Sequence, residues 1–134
     1  MASIPEDFED LFDRPSPTVF VTMQPNGIPH STMVWVDRDG DTVLVNTANG
    51  TQKHRNVQRN PTVAVTVIDP ETQYRYLTVQ GDVTAITEEG GADHLNELGR
   101  RYLDSENYID EYDANPDRRV LHVTPDNVLP VTAL

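Results

Sequence analysis

Along most of this chain apolar and polar positions alternate in short stretches, and helical spacing recurs in only a few places. Thr18 to Met23 is β-branched and apolar, which predicts a strand. Gln24-Pro25-Asn26-Gly27 reads as a turn, because Asn-Gly accepts positive φ. His30 to Asp37 predicts a second strand, polar at first (His30, Ser31, Thr32) and apolar afterwards (Met33, Val34, Trp35, Val36). Asp39-Gly40 is a hairpin signal, and Asp41 to Thr47 predicts the third strand. Thr62 to Ile68 is the fourth. Tyr74 to Thr87 is too long for one flat strand, so Gly81 is expected to mark a bulge or bend. Arg118 to Pro125 and Val128 to Leu134 predict the last two.

Helical periodicity appears first at Ser3 to Asp13. There Ile4, Phe8, Leu11 and Phe12 share a face, and Ser3 is placed to cap. Glu88 to about Asp104 is the clearest amphipathic helix, with Ala92, Leu95, Leu98, Tyr102 and Leu103 on its buried side. Asn107 to Asp117 is acidic and turn-rich, hence a loop or a short helical turn. Six or seven strands, several joined by hairpins, stand against two or three helices. That ratio predicts a mainly β, antiparallel barrel with flanking α helices over a doubly wound parallel sheet. The length predicts one domain, residues 1–134.

Charge changes the picture at one place. The chain carries 22 acidic residues and a formal net charge of −12. That argues against nucleic acid and anionic membranes as partners, since both are polyanions. Lys53 is the only lysine, and the other cationic side chains are arginines. Such a bias fits a high-salt cytoplasm or a high-GC genome. The first ten residues hold no apolar run and no secretory signal, and nothing approaches a membrane span, so a cytoplasmic protein is expected.

Within this acidic background Thr51 to Arg59 carries Lys53, Arg55 and Arg59 and no carboxylate. It predicts a short helix, with Asn49-Gly50-Thr51 supplying turn and cap and Pro61 ending it. Val57 is its only large apolar residue, so packing alone holds it weakly. An anion at its N-terminus would hold it better, where free N–H groups and the helix dipole favour phosphate and Lys53 adds a point charge. The competing reading is a polar surface helix.

Protein-based catalysis finds little support. There is no cysteine, and none of His30, His54, His94 and His122 stands at metal-ligand spacing with another, so no metal is expected. No nucleophile elbow, dinucleotide fingerprint or phosphate-binding loop is present. Any hard chemistry would then belong to a bound cofactor. If the second and third strands form a hairpin, Ser31 and Thr32 lie near Asn46 and Thr47 at one end of a sheet, beside the basic helix. Trp35 and Tyr76 offer flat apolar walls, or else serve as core.

These segments together resemble the pyridoxamine 5'-phosphate oxidase-like family, the FMN-binding split barrels, and within it the branch that uses the deazaflavin coenzyme F420. The resemblance spans nearly the whole chain. It is carried by Asn26-Gly27-x-Pro29-His30-Ser31-Thr32 with Trp35, and by Val45-Asn46-Thr47 ahead of Gln52-Lys53-x-Arg55-Asn56-Val57-x-Arg59-Asn60-Pro61. Asp69-Pro70, Tyr74-Arg75-Tyr76, Val79-x-Gly81 and Arg118-Arg119-Val120 add to it. It implies a homodimeric split β-barrel with cofactor sites at the interface. Lys53, with Thr47, Gln52 and Arg55, would hold the cofactor phosphate. Ser31, Thr32, Met33 and Val34 would run along the ring, and Asn46 would border the site. Asn56 would orient the helix or the phosphate. Tyr76 and Trp35 would come from the partner subunit. The implied reaction is hydride transfer from reduced F420 to an unsaturated small-molecule acceptor, with no catalytic residue named. The alternatives are an FMN-dependent oxidase or reductase, and a flavin or haem carrier without turnover.

Overall fold

The computed structural model describes residues 2–133. Seven strands form one sheet in which every pairing is antiparallel. They are β1 (Thr18–Met23), β2 (Pro29–Val34), β3 (Val36–Asp39), β4 (Thr42–Ala48), β5 (Thr62–Ile68), β6 (Arg75–Thr87) and β7 (Arg118–Thr132). The helices are α1 (Gln52–Arg59), α2 (Gly91–Leu103) and α3 (Tyr108–Tyr112), after an N-terminal 3-10 helix at Glu6–Asp13. Strand order is β2-β1-β5-β6-β7-β4-β3. The first and last strands of that order are consecutive in the chain, so the sheet curls into a half-barrel, the split-barrel architecture. Phe20, Val43, Val45, Val65, Val67, Leu77, Val79, Leu121 and Val123 are fully buried in its core.

Several boundaries differ from expectation. The stretch His30 to Asp37 is not one strand. It breaks at Trp35, β2 pairs with β1, and β3 pairs with β4. The expected hairpin of the His30 strand with the Asn46 strand is therefore only half made, by β3. The cause is closure: the chain must leave one sheet edge and join the other within one residue. The Val36 N–H turns to the Tyr102 hydroxyl (3.2 Å) at the changeover. The last two predicted strands are one, β7, bent where it follows β6 through register shifts at Gln80/Gly81 and Val83/Ala85. Gly81 is needed there because a Cβ would lie 2.1 Å from the Thr124 carbonyl oxygen. Leu134 lies outside the described residues.

Ser3 does not cap the N-terminal helix. That helix is 3-10, begins after Pro5 and has no side-chain cap, although Ile4, Phe8, Leu11 and Phe12 are buried as expected. In α2 the buried stripe is Leu95, Leu98 and Gly99, and Leu103 is 46% exposed. One residue past Tyr102 is about 100° round the helix, which turns Leu103 away from the barrel. Gly99 is buried because Tyr108 packs onto it, 2.4 Å from where a Cβ would sit. This contact docks α3 on α2.

Candidate functional site

A cavity of about 430 Å³ opens where the end of β2, the end of β4, the start of α1 and the helices α2 and α3 meet. That volume lies in the range of small-molecule sites. Lys53 and Arg118 line one part of it. Trp35, Tyr102 and Tyr108 line another, with Leu95 and Leu98 between α2 and the sheet.

The cationic part is built from α1. Thr51 caps the helix, its hydroxyl accepting from the His54 N–H (3.4 Å) and meeting the Thr47 hydroxyl at 2.7 Å. The Gly50 N–H donates to His54 Nδ1 (2.9 Å), which uses that histidine for loop closure. Burial followed by the Arg119 charge pushes its pKa down. Asn56 is 1% exposed; it donates to the Thr22 hydroxyl (2.9 Å) and accepts from Gln52 (2.6 Å). These bonds secure a helix with only Val57 as an apolar anchor. Lys53 in the first turn is half-buried, and no carboxylate pairs with it among the described residues. Burial, and then the neighbouring Arg118 charge, lower its pKa.

Arg118 enters from the start of β7. Its Nε donates to Asn46 Oδ1 (2.9 Å), and burial lowers its pKa. The same Asn46 donates to the Gly91 carbonyl (2.9 Å) and to His94 Nδ1 (3.1 Å). His94 in turn donates from Nε2 to Asp37 Oδ2 (3.0 Å), and Arg101 pairs with Asp37 Oδ1 (3.2 Å). The aromatic part is a cluster: Trp35 stacks on Tyr102 (5.3 Å between centroids) and meets Tyr108 edge-on (4.8 Å). The Tyr102 hydroxyl donates to the Ser16 carbonyl (2.8 Å) while receiving the Val36 N–H, so it serves the fold.

The structure brings Lys53, Thr47, Asn46, Met33, Val34 and Trp35 together around this one cavity. Trp35 lines the cavity of its own chain. Ser31, Thr32, Gln52, Arg55, Asn56 and Tyr76 are not among its lining residues. Ser31 is exposed, and the Thr32 hydroxyl is buried without a partner. Arg55 bonds back to the Gly50 carbonyl and to Gln52 Oε1 (2.7 Å). Arg118, Tyr102 and Tyr108 were not anticipated as site residues. The one available signal was a pair of adjacent arginines, Arg118-Arg119, opening a strand in an acid-rich chain. Among the described residues no group of three metal-ligating side chains forms, and no helix is long and apolar enough to cross a membrane.

The family model for pyridoxamine 5'-phosphate oxidase matches residues 4–132. The chain belongs to that family. A solved F420 reductase is 33% identical to this family member, with a TM-score of 0.79 over 94% of this chain and 98% of the other. A conserved protein of Mycobacterium tuberculosis aligns at 23% identity and TM-score 0.73, over 96% and 85% of the two chains. General Stress Protein 26 of Bacillus anthracis gives 18% and 0.72, over 96% and 94%. The last two show the fold alone. No curated protein matches in sequence. The family is one of flavin-related oxidoreductases, and some proteins of this fold bind without catalysing.

Proposed function

We propose that this protein is an oxidoreductase that binds the deazaflavin coenzyme F420 and serves hydride transfer to an unsaturated organic acceptor. The observation that carries the reading is Lys53, an unpaired, half-buried ammonium in a cavity walled elsewhere by aromatic rings. A buried charge without a partner is costly, so the site suits an anion that supplies one. A ring–ribityl–phosphate ligand fits the residues present. Lys53, the Thr47 and Thr51 hydroxyls and the free N–H groups of α1 would hold its phosphate. Met33, Val34 and Trp35 would face its ring, and Trp35 stands outside both strand ladders, leaving its backbone groups free to bond. When bound, the ring supplies the hydride. The protein's part is to fix distance and face and to exclude water, which is where orientation acts. The likeness to the F420 reductase supports the deazaflavin. FMN is the second reading, favoured by the family itself, because it shares the phosphate and ring layout.

The reading includes a homodimer with the cavity at its interface and Tyr76 supplied by the partner. Met33 lines the cavity yet is 65% exposed, and Ile28 on the same edge is 58% exposed, so that side is open to a second chain. Titration of the purified protein with F420 and with FMN, followed by absorbance and fluorescence, tests cofactor choice. Tighter F420 binding with turnover of an enone acceptor supports the reading. Tighter FMN binding replaces it with the second, and binding without turnover makes the protein a carrier. A monomeric mass by light scattering at micromolar concentration rejects the dimer.

A further inference from the structure

We propose that Arg118 is the specificity-determining residue for the acceptor: its guanidinium recognises a carboxylate on a planar substrate in the aromatic part of the cavity. This rests on the reading of the cavity just given.

Arg118 and Lys53 reach the cavity from different elements, β7 and α1. Lys53 rises from α1 among threonine hydroxyls. Arg118 packs against Gly91 at the start of α2, its Cβ 3.1 Å from where a Gly91 Cβ would lie. It lines the cavity together with Trp35, Tyr102 and Tyr108. Of the five N–H bonds a guanidinium carries, Nε serves Asn46 and NH1 makes a long contact with the Asn115 carbonyl (3.4 Å). Nη2, on the remaining edge, has no protein partner among the described residues, and Arg118 lines the cavity. A guanidinium edge with free parallel donors matches the two oxygens of a carboxylate. Trp35, Tyr102 and Tyr108 supply the flat surface a conjugated acid would lie against.

The orientation of that edge is set rather than incidental. Asn46 is 8% exposed, and its amide is fully used: Oδ1 accepts from Arg118, while Nδ2 serves Gly91 and His94. His94 is itself held by Asp37, which Arg101 pairs. Asn46, expected from sequence to touch a cofactor, is therefore a positioning residue. Its Nδ2 uses His94 Nδ1 as an acceptor, which fixes the amide with Oδ1 toward Arg118.

The test uses Trp35, the only tryptophan, as reporter, so it needs no bound cofactor. Benzoate and its neutral isostere benzamide are titrated into the protein and Trp35 emission is read on excitation at the red edge. The expected result is a benzoate preference of about tenfold or more, the size of a charge-assisted pair. Arg118→Gln abolishes the preference, Arg118→Lys keeps part of it, and Lys53→Met keeps most. Asn46→Ala lowers it with Arg118 intact, and Asn46→Gln, which keeps the amide, restores part of it. Melting curves confirm that each variant is folded. Equal binding of the two probes overturns the proposal. So does a preference that survives in folded Arg118→Gln, or one that Lys53→Met removes instead. Loss of F420 affinity in Arg118→Gln as large as in Lys53→Met reassigns Arg118 to the cofactor phosphate. If neither F420 nor FMN binds, the cofactor reading fails while the benzoate result still stands for Arg118.

Discussion

Replacing Lys53 by methionine separates its binding role from its cost to the fold, because the two effects have opposite signs. Methionine keeps most of the aliphatic stem, so the loss is mainly of charge. In the free protein the ammonium is half-buried, lacks a carboxylate and feels Arg118, and both influences lower its pKa from the usual 10.5. The folded state then binds its proton less tightly than the unfolded chain. Stability associated with this group rises with pH between the folded and unfolded values, and the full deficit is present below both. At pH 7–8 Lys53→Met should therefore melt at or above the wild type when no ligand is present. Each 1 kcal/mol relieved would appear as roughly 3–6 °C in a chain of this size. With cofactor the sign reverses. A charge-assisted bond to phosphate is worth roughly 1.5–3 kcal/mol, so the Kd for F420 should rise about ten- to a hundredfold. Because the pair is half-buried, added salt should shrink that difference only in part. Fluorescence titration and thermal melts on the same samples measure both effects. An unchanged Kd would refute the placing of Lys53 on the phosphate, and a lower melting temperature in the free protein would refute the argument from unpaired burial.

Other outcomes follow from the same geometry. Gly81→Ala places a Cβ against the Thr124 carbonyl and should destabilise by about 1–3 kcal/mol in denaturant melts, without a direct effect on the cavity. Asn56→Ala removes the bond to Thr22 that anchors α1 and leaves a buried hydroxyl; a cost of about 1–3 kcal/mol is expected, with weaker cofactor binding as a consequence. Asp69 is 7% exposed, and its carboxyl sits below the usual range because the Glu71 N–H (2.8 Å) and then Arg75 (2.9 Å) favour its charge. Its contribution is present above pH ~4, the unfolded value, and is lost as pH falls through the lower folded value. Asp69→Asn should accordingly flatten the acid limb of a stability–pH profile, and an unaltered limb would remove Asp69 from the account.

Much of the architecture follows from local chemistry that any reader of the sequence has in hand. β-branched runs such as Thr18 to Met23 and Thr62 to Ile68 became strands with the expected limits, since neither has an alternative helical face. Thr51, Asn60 and Pro61 bound α1 because capping and the missing proline N–H act within a few residues. Lys53 stood out as the only lysine in a chain with 22 acidic residues. Tertiary structure alone decided the rest. The break at Trp35 is required by barrel closure, a long-range condition with no local mark. Arg118 joins Lys53 because β7 pairs with β4, bringing Ala48 opposite Arg118 across 70 residues of chain. Asn46 looks like a ligand residue in one dimension, and only the arrival of Gly91, His94 and Arg118 shows that its amide is already engaged. Strand pairing and hydrogen-bond saturation depend on which segments meet, and the sequence order of a sheet does not state that.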